Sequence, residues 1–106
     1  MRATKNNGDG VPSTSPLTDD QINNLGAVFR VLSDIQRLRI LNLLRSGEKN
    51  VTGIREALGM QQSLVIHHLS LLRVSSLIQQ RRAGRFVYHS LTDRAADALS
   101  LARTLI

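Results

Sequence analysis

Apolar residues recur at helical spacing along most of this chain and change to strict alternation only once. Thr18-Asp19-Asp20-Gln21 is a capping-box sequence with acids in the first turn. Ile22, Leu25, Phe29 and Leu32 follow as one stripe, which predicts a first helix over 18–32. Ser33-Asp34-Ile35-Gln36 repeats the capping signal and opens a second helix that runs to about Arg45. Its apolar residues Ile35, Leu38, Ile40, Leu41, Leu43 and Leu44 spread most of the way round, the pattern of a helix near the centre of a small domain. Ser46-Gly47 ends it. Lys49-Asn50-Val51 suits a short extended piece, and Asn50 or Thr52 can cap a third helix over about 52–58, closed by Gly59.

The fourth helix, from about Gln61 to Val74, divides into two faces. Leu64, Val65, His68, Leu69, Leu71 and Leu72 point one way, as a core anchor. Ser63, Ile66, His67, Ser70 and Val74 point the other, with Gln62 and Arg73 at the edges. The period then shortens to two. Residues 77–82 predict a strand, Ala83-Gly84-Arg85 a turn and 86–91 a second strand. Thr92 caps a last helix over 92–106, with Ala95, Ala98, Leu99, Ala102, Leu105 and Ile106 on one face. Residues 1–17 hold Gly8, Gly10, Pro12 and Pro16 and lack an apolar period, which predicts a disordered tail. The expected organisation is therefore a tail, 1–17, and one domain, 18–106. That domain is mainly α with a small β-hairpin: a winged helix-turn-helix of about five helices and a two-stranded wing.

This arrangement points to DNA. The outward face of the fourth helix offers short hydrogen-bonding groups and branched apolar groups, without an acid or a lysine. Such a face suits the edges of base pairs, where hydroxyls and amides bond to bases and apolar groups touch thymine methyls. Gln61, Gln62, Ser63, Ile66, His67 and Ser70 are the candidate base-reading residues. Arg73, Arg81, Arg82 and Arg85 are the candidate contacts to phosphate or the minor groove, the last three placed near the hairpin tip. A basic, solvated surface is the plainer account of the arginines, but their placement beside the helix favours a polyanion.

Charge sharpens the picture. The formal net charge is +6. Residues 45–85 carry seven cations (Arg45, Lys49, Arg55, Arg73, Arg81, Arg82, Arg85) against Glu48 and Glu56, so most of the excess surrounds the fourth helix and the hairpin. The 106 residues suit a single domain, and with aromatics at 3% the core must be built from Leu, Ile, Val and Ala. No cysteine occurs, which rules out disulfides and thiolate metal sites. No membrane-spanning run or signal-peptide core is seen, so a cytoplasmic protein is expected.

Catalysis is not expected. No cysteine nucleophile, glycine-rich phosphate loop or metal-ligand pair with a nearby base occurs. His68 lies on the apolar face and reads as a core histidine bonded through one nitrogen rather than as a ligand. His67 faces outward and is a candidate base or phosphate contact. His89, on the second strand, reads as surface or dimer-edge. Asp93 and Asp97 stand one turn apart; they could weakly hold a hard cation, but acids near a helix N-terminus need no such explanation. No metal or other cofactor is expected.

Several segments together resemble the ArsR/SmtB family of winged-helix repressors. They are Arg37-Leu38-Arg39-Ile40-Leu41-Asn42-Leu43-Leu44, Gly47-Glu48, Leu58-Gly59, Gln62 to Leu69, Leu72-Arg73 and Gly84-Arg85-Phe86-Val87-Tyr88. The resemblance runs from about Ile22 to Ile106. It implies a homodimer paired through the first and last helices that represses transcription until an inducer, often a metal ion, releases it from operator DNA. The sensor positions depart from that pattern. The Cys-x-Cys pair of the third helix falls on Asn50 and Thr52, and the last helix begins Asp93-Arg94-Ala95 with no histidine after it. Gln61 stands where a capping Ser is usual, Ile66 where a Ser is common, and Ser75-Ser76 where Ala-Gly is common. The first two bear on operator preference and the third on local packing. The reading is a homodimeric, sequence-specific regulator of double-stranded DNA not controlled through the usual metal sites. A winged-helix protein-interaction module and a sequence-indifferent architectural DNA binder are the alternatives.

Overall fold

A computed structural model describes residues 14–106. Most of the tail expected at 1–17 thus lies outside the described residues. Helix α1 spans Asp19–Leu32, α2 Ile35–Leu44, α3 Val51–Leu58 and α4 Gln62–Val74. Strands β1 (Ile78–Ala83) and β2 (Phe86–Leu91) follow, then α5 (Asp93–Ala102) and a 3-10 turn over Arg103–Leu105. Among the described residues, five α-helices and one antiparallel hairpin match the expected winged helix-turn-helix.

Local chemistry sets the boundaries. At α1 the Thr18 hydroxyl accepts from the Gln21 amide at 3.1 Å, and the Gln21 side chain accepts from the Thr18 amide at 2.9 Å. Asp34 caps α2 by accepting from the Arg37 amide at 3.0 Å. Asn50 rather than Thr52 caps α3, accepting from the Gly53 amide at 2.8 Å, so α3 begins one residue earlier than expected. Gly59 ends α3 at φ +65°, a left-handed conformation that glycine adopts without the Cβ penalty. That sharp stop lets α4 start at Gln62.

The core is aliphatic. Ile40, Leu41, Ile54, Val65, Leu72 and Leu77 are fully buried, one or more from each of α2, α3, α4 and the approach to the hairpin. Helix α2 lies at the centre, touching α1, α3, α4 and β2. The pair α3 and α4 packs against it, and so does strand β2 of the hairpin. Ile78 pairs with Leu91 at the root of the hairpin, and Ala95 anchors α5 beside them with 1% exposure.

Two expectations about the core need correction. Leu64 and Leu71 are 37% and 36% exposed, so the buried stripe of α4 is narrower than expected: Val65, His68, Leu69 and Leu72. Those four sit at i, i+3, i+4 and i+7, a single narrow stripe along the helix. His89 is not a surface residue but is 5% exposed. The loop before α3 pairs beside this strand: Lys49 and His89 exchange backbone hydrogen bonds of 2.8 and 3.0 Å, adding a one-residue third strand next to β2.

The flanks are different. Helix α1 buries no residue, and Ile22, Leu25 and Phe29 are all exposed. Leu101, Leu105 and Ile106 are exposed at the other end. Between α1, α2 and α5 runs an open apolar groove of about 360 Å³, lined among others by Phe29, Leu32, Leu38, Ala98 and Leu99. Among the described residues no helix is long and apolar enough to cross a membrane.

Candidate nucleic-acid interface

The candidate base-reading face is built on α4 alone. Ser63, Ile66, His67 and Ser70 stand at i, i+3, i+4 and i+7, so their side chains form one row. Ser63, Ile66 and His67 are exposed and Ser70 half-buried. Gln61 and Gln62 are exposed at the helix start. Gln61 holds the cap position without a side-chain cap bond, so its amide is not engaged by the helix. No acid occurs anywhere from Gln61 to Val74, and a phosphate approaching the row would meet no side-chain anion on the helix.

Behind that row, His68 fixes the helix. The Arg37 guanidinium lies 3.3 Å from His68 Nδ1, and its Nε donates to the Val31 carbonyl at 2.7 Å. A guanidinium only donates, so Nδ1 accepts and the ring proton sits on Nε2. Burial pushes the His68 pKa below its usual 6.5, against the pull of Asp34; the charges of Arg37 and His67 lower it further. Asp34 in turn is held below the usual carboxylate range, chiefly by its backbone hydrogen bond from Arg37. One arginine thus ties the end of α1, the start of α2 and the middle of α4 together. The sequence pattern identifies His68 as a core residue bonded through one nitrogen but misses Arg37 as its partner. The pairing joins positions 31 residues apart, and no local pattern reveals it.

The hairpin carries its arginines in unequal states. Gly84 and Arg85 form the two-residue turn, with Gly84 at φ +63°. Glycine at the first central position suits the turn that follows the strand twist. Arg85 is therefore at the tip, with its guanidinium over Phe86 at 5.5 Å. Arg82 pairs with Val87 one rung back and is exposed. Arg81 pairs with Tyr88 one rung further from the tip, on the opposite face of the hairpin. It forms a bidentate ion pair with Glu48 and lies 5.1 Å from the Tyr88 ring centre. The Arg81 hydrogen bond holds the Glu48 carboxyl below its usual range. Arg81 is thus engaged within the fold, whereas Arg82 and Arg85 form no ion pair among the described residues.

Arg73 ends α4 and approaches the hairpin, its Nη1 3.5 Å from Gln80 Oε1. Gln80 is paired across the hairpin with His89. Burial lowers the His89 pKa and the Arg73 charge lowers it further. Its Nδ1 is buried without a hydrogen-bond partner among the described residues. The helix and the wing therefore meet at Arg73, Gln80 and His89.

The positions that would carry metal ligands do other work. Asn50 caps α3, and Asp93 lies exposed in the first turn of α5. Among the described residues no group of three or more His, Asp or Glu side chains is close enough to hold an ion.

Comparison with known proteins gives a consistent result. The model of the arsR family of bacterial regulatory proteins matches residues 34–80, which run from the cap of α2 into β1. The HTH-type transcriptional regulator NmtR of Mycobacterium tuberculosis is 39% identical over 80 residues, 76% of this chain and 67% of that protein. The transcriptional repressor SdpR of Bacillus subtilis is 36% identical over 64 residues, 60% of this chain and 71% of that one. Among solved structures, a homodimeric winged helix-turn-helix DNA-binding domain from Mycobacterium bovis aligns with a TM-score of 0.75. The two are 26% identical, and the alignment covers 86% of this chain and 88% of that one.

Proposed function

The chain belongs to the arsR family of bacterial regulatory proteins, and on that premise we propose that it is a transcriptional repressor that binds double-stranded DNA as a homodimer. Residues 18–106 form the DNA-binding and dimerisation unit. It acts on DNA in the cytoplasm and has no catalytic role.

One observation carries the reading: an exposed, acid-free row on α4 stands beside a hairpin whose tip bears two arginines without an ion pair among the described residues. In this account Gln61, Gln62, Ser63, Ile66, His67 and Ser70 enter the major groove and read base edges. Arg73, Arg82 and Arg85 lie along the phosphates or the minor groove, and Arg81 joins them only by leaving Glu48. The apolar flanks support the dimer. The chain measures 46 × 25 × 25 Å with a radius of gyration of 15.9 Å, above the roughly 13 Å of a compact chain of this length. A second copy laid against α1 and α5 covers the exposed stripes and sets two α4 helices in major grooves about 34 Å apart.

Control does not run through the family's usual metal sites. Asn50 and Thr52 are poor ligands for soft metals, and Asp93 and Asp97 supply no nitrogen. Zinc, copper, cadmium or arsenite at micromolar levels is expected to leave DNA affinity unchanged within about 1 kcal/mol, the low end of allosteric coupling. A tenfold loss with stoichiometric metal, reversed by a chelator, contradicts this.

The test is a titration against selected and random duplexes at two salt concentrations. The selected duplex is expected to bind about a thousandfold more tightly or better. Equal binding to all duplexes identifies an architectural binder instead. Weak, salt-labile association alone points to a protein-interaction module, which the 82% exposure of Val74 would serve. Ser63→Ala or His67→Ala should change preference at one base pair by roughly 1–3 kcal/mol. Arg82→Ala or Arg85→Ala should weaken all duplexes alike and flatten the salt dependence by about one unit for each phosphate no longer neutralised.

A further inference from the structure

Ile66 is the apolar member of the row it forms with Ser63, His67 and Ser70 on α4; Val74, also outward and apolar, lies about two turns further on, at the end of the helix. The neighbours of Ile66 in the row are two hydroxyls and an imidazole, yet it presents a branched hydrocarbon that is 49% exposed. It does not serve the core, since Val65, His68, Leu69 and Leu72 are the buried residues of α4. An apolar side chain held at the middle of a polar row gains nothing from water. It gains from a surface with one apolar feature at matching depth. In the major groove that feature is the C5-methyl of thymine, which no other base of DNA carries in unmodified form.

The rest of the row agrees. The commonest specific contact in this groove is arginine or lysine on guanine, and neither residue occurs between Gln61 and Ser70. The free amide at the head of the row, Gln62, carries the donor and acceptor that match the major-groove edge of adenine. Gln62 lies one turn before Ile66, about 6 Å along the axis, within reach of a neighbouring base pair. A protein partner is less well matched, because the surrounding segment concentrates cations and the row itself has no acid.

We propose that Ile66 is a specificity-determining residue that packs on a thymine methyl, with Gln62 reading an adjacent adenine, so that α4 selects A·T pairs. This rests on the DNA-reading role proposed for α4, and the experiment separates the two. A duplex is selected by the full chain from a random pool. Each thymine is then replaced in turn by deoxyuridine, which keeps every hydrogen-bonding group and lacks only the methyl.

At one thymine per half-site the replacement should weaken binding about fourfold, the worth of burying one methyl. Ile66→Ala, which removes the contact in both half-sites of the dimer, should bind the thymine duplex more weakly still, by about sixteenfold or more, and no longer distinguish the two. Ile66→Val should keep most of the discrimination. Because Ile66 is exposed, both variants should melt as the parent does. Binding of the parent to every deoxyuridine duplex within twofold overturns the inference while the DNA-reading role stands. So does discrimination by Ile66→Ala equal to the parent's. Failure of the pool to yield any preferred duplex overturns the role of α4 as a reader, and the inference with it.

Discussion

Helices α1 and α4 are nearly equal in length, 14 and 13 residues, and both carry an apolar stripe. Helix α4 buries Val65, His68, Leu69 and Leu72, whereas α1 buries nothing. The stripes do not explain the contrast. Helix α4 lies against α2, α3 and β1, so its stripe has walls on several sides. Helix α1 touches α2 along one edge and leaves Ile22, Leu25 and Phe29 in the open. The centre of the molecule therefore completes itself, while the flank leaves its stripe open among the described residues. An apolar stripe shows that a helix will be covered; only the tertiary arrangement shows whether its own chain does the covering.

The sharpest way to break this comparison is to place a charge on the open stripe. Phe29→Glu should weaken dimerisation by roughly 4 kcal/mol or more, because a two-fold interface meets each substitution twice. Phe29 is 57% exposed in the single chain, so the helical content should survive while sedimentation reports a monomer. Loss of fold without prior dissociation would place Phe29 in the core instead.

The complementary change lies at the centre. Ile40 is fully buried, and Ile40→Ala should lower stability by about 2–5 kcal/mol through the cavity left behind. Denaturant melts should show that loss at every protein concentration. The Phe29 effect should grow with concentration, since only the parent gains stability from association.

A smaller effect comes from the two buried histidines. Both have lowered pKa values, chiefly from burial. Between the lowered folded value and the ordinary 6.5, the unfolded chain binds more protons than the folded one. Stability then rises with pH across that window. It is complete above about pH 6.5 and is lost as the pH falls toward the folded values. Unfolding in that range should take up protons at both histidines. His89→Leu should remove one of them without loss of stability at pH 7.5, because it replaces a buried, unpartnered nitrogen with an apolar group. His68→Leu should remove the other but destabilise, because Arg37 loses its acceptor. Equal behaviour of the two variants would contradict the assignment of one as satisfied and the other as unpartnered.

The smallest effect is local. Ser76 sits at φ +60°, where a side chain is strained. Ser76→Gly should stabilise by about 0.5–1 kcal/mol, offset in part by the greater freedom of glycine in the unfolded chain. A destabilisation would mean that the serine hydroxyl matters more than the backbone.

Much of the fold is legible in the sequence because its signals are short-range. The Thr18–Gln21 box, the Asp34 cap, the Gly59 stop and the Gly84 turn each lie within a few residues of what they control. The outward row of α4 follows from the same periodicity. What stays hidden depends on partners far along the chain. His89 is buried, on a strand that pairs with Lys49, 40 residues away, and Arg81 is engaged because Glu48 reaches it across 33 residues. The Ser75-Ser76 departure reads as a matter of packing, yet Ser76 takes φ +60°, the conformation that the glycine common at that position adopts without strain. Periodicity carries the last helix unbroken to 106, but the chain tightens into a 3-10 turn after Ala102. There the apolar stripe continues through Leu105 and Ile106, both exposed among the described residues.

A two-fold DNA reader built on the open flank is tested by the mass of the full chain in sedimentation, free and bound to a duplex selected from a random pool. A dimer is expected at micromolar concentration, with two chains per duplex, protecting half-sites whose centres lie about 10 base pairs apart. A monomer in free solution, or one chain on each duplex, would contradict it.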